Sequence, residues 1–279
     1  MASTERPLEV SVINSSKSGR QSLIGWLKAA LPPVLVALVV LLLWQFEILH
    51  AILNIKTFQL PLPSQILDSA GLRTRDLWIG MNYTLLEAVL GLIIGSAAGF
   101  VMALVCVWFD FARRGLMPIA ITTNAIPIVA FVPIMSRWFG FDQPTRIAVV
   151  TMMTFAPMVV SAYKGLTSLD NNSADLMHSY AANRLTVFLK LRLPSSLPYV
   201  FSALKVGTTA AMIGAVVAEF FNSAGGIGKL IANNIQSGDF ALAWCGVIIV
   251  TLMGLALYLV VSLLERWLVP WQSAFRAKD

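Results

Sequence analysis

The chain predicts an all-α membrane protein, one domain of six transmembrane helices, on three observations. Hydrophobic residues make up 57% of the 279 and charged residues only 12%, against roughly 25% charged in an ordinary soluble domain. Mean hydropathy is +0.76. The apolar residues gather into runs about as long as a bilayer is thick, parted by short polar breaks. The net charge of +6 comes from basic residues scattered among those breaks. That pattern marks the cytoplasmic side of a membrane protein and not a nucleic-acid surface.

Residues 1–28 are polar and Ser-rich and are expected to form a mobile cytoplasmic tail. No small-residue cleavage site follows the first apolar run, so a cleavable signal peptide is not expected. The first span is placed at about Leu31 to Leu49, with Pro32 and Pro33 in its first turn, where spare amides tolerate proline. Beyond it, Pro61 and Pro63 predict an extended elbow, and Ser64 a cap for a short helix. The second span, about Trp78 to Trp108, carries Gly91, Gly95 and Gly99 at four-residue spacing. That row puts three missing side chains on one face, where another helix can come backbone to backbone.

Asp110, Arg113 and Arg114 make the next break. The third span, about Leu116 to Met135, holds Thr122, Thr123 and Asn124 and is interrupted by Pro127 and Pro133. Polar side chains and freed carbonyls at membrane depth need a wet cavity or a protein neighbour, so Thr123, Asn124 and Pro127 are candidate translocation-path residues. The remaining spans are placed at about Ile147 to Tyr163, Tyr199 to Phe221 and Leu242 to Leu264. With both termini inside, the inner segments carry about twice as many Lys and Arg as the outer ones, as the positive-inside rule requires. The outer set includes Arg146.

Three ionisable residues fall within the spans: Glu87, Lys205 and Glu219. Lys205 lies near the inner end and can snorkel; Glu219 is expected to reach headgroups or the outer loop. Glu87 is assigned to the path or to a structural pair. Cys106 and Cys245 sit in apolar runs as core residues, and His50 and His178 are too far apart to suggest a metal site. Gly225-Gly226-Ile227-Gly228-Lys229 lacks the spacing of a phosphate loop, with Ser223 and Leu230 at the decisive positions. It is read as the turn of an outer loop. No nucleophile–base arrangement is visible, and no enzyme is expected. No cofactor is expected on this chain; any ATP and Mg would belong to a partner.

The polar stretch NNSADLMHSYAANRLTVFLKLRLPSSLP, Asn171 to Pro198, breaks this pattern. Asn172 and Asp175 suit a helix start. Leu176, Tyr180, Val187 and Leu191 recur at helical intervals, Ala181 and Ala182 leave room for a close surface, and Pro194 and Pro198 are expected to end the helix. A short amphipathic helix at about 172–193, held at the inner membrane surface, is a docking element.

That stretch resembles the cytoplasmic motif of ATP-binding cassette (ABC) importer permeases, Glu-Ala-Ala-x-x-x-Gly followed further on by Leu-Pro. Counted back from Leu193-Pro194, Asp175 takes the Glu position, Leu176 and Met177 the alanines, and Ala181 the glycine. The acidic class and Leu-Pro match; the alanines and glycine do not. LPLPSQIL (Leu60 to Leu67), TNAIPIVAFVPIMSRWFG (Thr123 to Gly140) and ALKVGTTAAMIGAVVAEFF (Ala203 to Phe221) look like the taurine, nitrate, sulfonate and thiamine-precursor permeases.

The resemblance implies a small (type I) importer transmembrane domain over residues 29–270, with a C-terminal cytoplasmic tail at 271–279, in a bacterial inner membrane. Implied partners are a cytoplasmic ABC ATPase dimer, a second permease copy or homologue, a periplasmic substrate-binding protein and the lipid membrane. Asp175, Leu176, Met177, His178, Tyr180, Ala181, Ala182, Arg184 and Pro194 are implied to couple to the ATPase. Thr208, Thr209 and Met212, with Ser202, join the path by the same analogy. The expected cargo is a flat heterocycle such as a thiamine-pyrimidine precursor or riboflavin, with nitrate, sulfonate or taurine as the alternative. A stand-alone secondary transporter is the rival reading; it calls for inverted repeats and a midplane ion site, and neither is found.

Overall fold

The computed structural model describes residues 18–169, 171–221 and 225–271, with side chains from residue 31 onward except those of 171, 172, 174 and 178. Every regular element among the described residues is helical. The chain divides into Met1–Ser64 and Gln65–Asp279.

In the first unit, helix α1 (Ser18–Gln45) already contains Pro32 and Pro33 in its interior, so the helix begins before the predicted span. The expected tail lies outside the described residues up to position 17. The helix ends at Gln45, before the predicted Leu49. A left-handed Glu47 (φ 62°) follows, and helix α2 (Ile48–Leu53) ends at a left-handed Asn54 (φ 52°). The following hook folds back on α1. The Trp44 indole donates to the Pro61 carbonyl at 3.1 Å, and His50 Nε2 meets the Leu60 carbonyl at 2.6 Å. The Ser64 amide donates to Gln45 Oε1 at 3.1 Å. Ser64 is therefore no cap: helix α3 (Pro63–Leu72) starts with Pro63 at its first position, where a missing N–H costs nothing.

The second unit is built on four long apolar helices: α4 (Thr74–Trp108), α7 (Gln143–Thr167), α10 (Leu193–Phe221) and α12 (Phe240–Leu268). The glycine row of α4 fixes the central crossing. A Cβ on Gly91 would meet Val150, one on Gly95 would meet Thr154 and the Thr151 backbone, and one on Gly99 would lie 2.6 Å from the Phe155 carbonyl. Contacts advance together along both chains, so α4 and α7 run parallel with backbones nearly touching. α10 runs antiparallel to both: a Cβ on Gly165 would meet Tyr199 and Ser196, while one on Gly214 would meet Met153. Ala88, Leu92, Val150, Ala211, Met212, Ala215 and Met253 close the core. Outward-facing Leu255, Leu259, Leu263 and Trp267 leave most of α12 apolar and uncovered, as a helix facing lipid must be.

The third span departs from expectation. It is two helices, α5 (Asp110–Thr123) and α6 (Ile128–Phe139), bent by 108° at Asn124–Pro127. Thr123 Oγ1 donates to the Ile119 and Ala120 carbonyls at 2.9 and 2.8 Å, so its hydroxyl folds back onto the last turn of α5. Pro133 lies inside α6 without breaking it. Because α4 and α7 are parallel, the chain must return from the Trp108 end to the Gln143 end between them. The bent pair is thus one interrupted crossing. Between the long helices lie α8 (Asn171–Ser179), α9 (Arg184–Val187) with a π turn (Phe188–Arg192), and α11 (Ile227–Ser237).

Candidate functional site

The antiparallel course of α10 and α12 brings residues 168–192 to the same end of the bundle as Trp108 and Arg266. There α8 ends in a helix-stop turn. Ala181 adopts φ 49°, and the Ala182 amide donates back to the Met177 carbonyl at 3.1 Å. This is the left-handed position after a helix where glycine is preferred, and it is the position matched to the motif's glycine. Asn183 then caps α9, its Oδ1 accepting from the Thr186 amide at 2.7 Å.

Asp175 is exposed and Met177 half-buried. Leu176 is 56% and Tyr180 76% exposed, and Leu185 and Leu189 stand equally clear. The side chains of Asn172 and His178 lie outside the described residues. Of the apolar stripe expected to dock, Leu176 and Tyr180 are uncovered in the single chain, whereas Val187 and Leu191 are half-buried and Leu185 and Leu189 are exposed instead.

Pro194 does not end a helix, contrary to expectation. α9, the π turn and α10 form one continuous helix, Arg184–Phe221, of 38 residues, and Pro198 lies inside it. The π turn accounts for this continuity. A proline ring clashes with the carbonyl four residues back, here Lys190. Widening the turn shifts that carbonyl, and the Leu193 amide donates to Phe188, five residues back. Beside it a groove of about 390 Å³ is lined by Val107, Trp108, Ala182, Arg184, Phe188 and Arg192, with the Trp108 and Phe188 rings 5.5 Å apart.

The expected path residues separate. Thr123 and Asn124 line a small cavity of about 70 Å³ at the α5–α6 break, with Phe131, Met152 and Met153; Pro127 precedes α6 directly. Thr209 and Met212 line an apolar groove of about 490 Å³ with Val216, Thr251, Gly254 and Tyr258 of α10 and α12. Thr208 is buried and donates to the Lys205 carbonyl at 2.7 Å. Glu87 is fully buried and lines neither space.

The ionisable residues find partners within the bundle. Lys205 does not snorkel: its Nζ pairs with Glu265 at 2.8 Å. Arg146, placed by sequence in an outer segment, is 3% exposed and its Nε pairs with Glu87 Oε1 at 2.6 Å. Glu219 reaches the segment between α10 and α12, the loop alternative of its expectation, rather than headgroups. It is fully buried, accepts from Thr84 Oγ1 at 2.7 Å and takes the Gly228 amide at 2.6 Å. The Ile227 amide donates to Thr84 Oγ1 at 2.9 Å. Of the glycine cluster only Gly225 and Gly226 turn outside a helix, while Ile227, Gly228 and Lys229 already form the start of α11. A Cβ on Gly226 would run into the Glu219 carboxyl, and one on Gly228 would lie 2.8 Å from Oε2. The turn lays the start of α11 on an internal carboxylate, as a helix N-terminus favours. The available signal was the buried acid itself: Glu87 needs a cation, and Arg146 opens the apolar run that packs on its helix.

Residues 91–273 match the family described as binding-protein-dependent transport system inner membrane component. The formylaminopyrimidine transport permease protein ThiX of Halalkalibacterium halodurans is 29% identical over 88% of this chain and 97% of its own. The riboflavin transport system permease protein RibX of Chloroflexus aurantiacus is 31% identical over 58% of this chain and 60% of its own. The taurine transport system permease protein TauC of Escherichia coli is 26% identical over 77% of this chain and 80% of its own. With two thirds of its length matched and its long apolar helices in place, the chain belongs to the binding-protein-dependent transport system inner membrane components and is a multi-pass ABC importer permease.

Proposed function

We propose that this permease forms half of an importer's substrate path and is driven by a separate cytoplasmic ATPase that seats on residues 171–193. One observation carries this reading: an uncovered apolar face, Leu176 and Tyr180 with Leu185 and Leu189, sits beside a helix that runs unbroken from Arg184 to Phe221. A push on that face moves α10 as a rod. ATP and Mg reside on the ATPase, and this chain supplies the surface that its closure displaces. Nucleotide shifts the inward–outward balance only by its differential affinity for the two states.

The charge distribution supports placing this face inside the cell. Arg113, Arg114, Lys164, Arg184, Lys190, Arg192 and Arg266 stand at the Trp108 end, where the positive-inside rule puts the cytoplasm; both termini then lie inside as well. A second copy or a homologue completes the path against the α10–α12 groove, and a periplasmic binding protein delivers the cargo. Relatives named for formylaminopyrimidine and riboflavin transport favour a flat heterocycle over a taurine-like anion. The cargo is read by measuring what the cognate binding protein binds.

The coupling test is co-purification with the candidate ATPase. Asp175→Lys and Tyr180→Asp change exposed side chains outside the bundle core, so both variants fold. Each is expected to cut transport-linked ATP hydrolysis at least tenfold. Unaltered hydrolysis in both would end the proposal. Bulky changes at Ala181 are poor probes, because its left-handed backbone strains them on its own account.

A further inference from the structure

The groove beside the π turn is left over once the coupling face is assigned. One wall is the last turn of α4, Val107 and Trp108; the other is the start of the long helix, with Arg184, Phe188 and Arg192. Those three recur every four residues and so share one side of that helix. The exposed Leu185 and Leu189 each follow a groove residue by one position, about 100° round the axis. The groove therefore lies beside the apolar face assigned to the ATPase and apart from it.

Its two halves differ in chemistry. Arg113 and Arg114, at the same end of the bundle, are both held by Asp110 at 2.6 and 3.0 Å. Arg184 and Arg192 form no ion pair among the described residues, and none of the described residues lining the groove is acidic. Arg192 is half-buried, and a cation partly withdrawn from water without a counter-charge favours an incoming anion. The other half is apolar, with the Trp108 and Phe188 rings 5.5 Å apart. From Trp108 an exposed apolar stripe runs back along α4 through Val105 and Val101, 37% and 57% exposed, inside a helix apolar enough to cross a membrane. The depth agrees. The helix Arg184–Phe221 has 38 residues, about 57 Å at 1.5 Å per residue, against ~30 Å of hydrocarbon. Its first turns thus stand at headgroup level, where tryptophan concentrates.

We propose that this groove holds one anionic phospholipid of the adjacent leaflet, its phosphate between Arg184 and Arg192 and an acyl chain laid along Trp108, Val105 and Val101. Basic pockets at helix ends beside the membrane take such headgroups. That the leaflet is the inner one rests on the orientation proposed above; the binding itself does not. A free phosphate or nucleotide would use the arginines and leave the aromatic wall and the stripe beneath it bare. A zwitterionic lipid would bring a cation of its own toward two arginines that already lack a counter-charge.

The test is native mass spectrometry of the purified, delipidated full-length permease, titrated with dioleoyl phosphatidylglycerol or dioleoyl phosphatidylcholine. The wild type is expected to retain one phosphatidylglycerol about tenfold more tightly than phosphatidylcholine, the effect of two cations near the membrane surface. Arg184→Gln combined with Arg192→Gln should erase that preference. Arg113→Gln should keep it, because that charge is already held by Asp110. Trp108→Ala leaves both groove charges in place and should still weaken phosphatidylglycerol retention; unchanged retention there overturns the acyl-chain placement. Equal retention of the two lipids by the wild type, or a preference that survives in the double variant, overturns the site. Displacement of phosphatidylglycerol by millimolar inorganic phosphate would assign the groove to a soluble anion and overturn the lipid. The wild-type comparison decides even where a variant fails to fold. No ATP hydrolysis is read, so a failure here and a failure of the coupling test are told apart.

Discussion

Replacing Arg146 with Met tests the core of this structure most severely. The Arg146–Glu87 contact is 2.6 Å between groups almost fully withdrawn from solvent. At an effective dielectric of ~20 its Coulomb attraction is about 6 kcal/mol. Arg desolvation offsets part of that, and removing one partner of such a pair typically costs about 3–5 kcal/mol, because the other charge stays buried. In a domain whose whole stability is about 5–15 kcal/mol, that is a large share. At ~2 °C per kcal/mol, melting should fall by about 6 °C or more. The assay is thermal unfolding in detergent followed by size-exclusion chromatography. Arg73→Met is the control, since Arg73 and Asp76 pair at 3.2 Å with both side chains more than half exposed, and such pairs contribute about 0–1 kcal/mol. Glu87→Gln combined with Arg146→Met should recover much of the loss by removing the orphaned charge. If Arg146→Met melts no lower than Arg73→Met, the buried-charge argument is wrong.

Ala181→Gly should raise stability by about 1 kcal/mol, since glycine takes φ 49° without the penalty an L side chain pays; thermal melts of Ala181→Gly and Ala181→Val should move in opposite directions. Gly95→Leu places side-chain atoms where the Thr154 hydroxyl and Thr151 backbone already sit and should cost about 1–3 kcal/mol or prevent folding. Gly115→Ala meets nothing within 4 Å and should gain stability in the same melts. Pro194→Ala removes the cause of the π turn. If that turn then tightens to α-helix, everything upstream rotates by about 100° about the axis, and hydrolysis by the docked ATPase should fall while the melt stays unchanged.

What the sequence made legible was whatever repeats. The glycine row of α4 announced a backbone-to-backbone crossing, and Gly91, Gly95 and Gly99 meet α7 in that way. Apolar run lengths marked the long helices, although α10 proved longer than its apolar core. Hydropathy ends where charge begins, yet a helix continues as long as its backbone bonds are met. Proline misled at Pro133, Pro194 and Pro198 and not at Pro127, for one reason. Its effect depends on whether the surroundings can absorb a missing N–H and a displaced carbonyl. At Pro194 a π turn absorbs them, at Pro133 α6 continues regardless, and only at Pro127 does the chain bend sharply, where Asn124 to Ile126 already leave the helix. Charge pairing was invisible because Glu87 and Arg146, or Lys205 and Glu265, lie about sixty positions apart, and a single sequence does not record such distances. The departures from the motif were the informative part. Ala181 differs from glycine in residue type but keeps its backbone conformation, so what that position demands is a left-handed turn.

These points join along α10. Its continuous helix begins at Arg184, a few residues after α8 in the chain, and ends at Phe221, two residues beyond the carboxyl that holds α11. A rod cannot shift at one end and stay fixed at the other. Displacing the α8 turn toward or away from Trp108 must therefore load the Glu219–Gly228 bond at the far end, unless the helix bends between them. Its one wide turn lies close to the docking end and Pro198 just beyond, while Gly207 and Gly214 pack tightly against Leu92 and Met153. Bending is thus confined to the first turns, and the stretch from Gly207 to Glu219 moves as a unit. The far-end cluster is where that motion is resisted, since the amides that tie α11 down, Ile227 and Gly228, bond to Thr84 of α4 and to the carboxylate that α10 carries. The helix that receives the push at one end of the bundle carries, at the other, the group that keeps α11 in place.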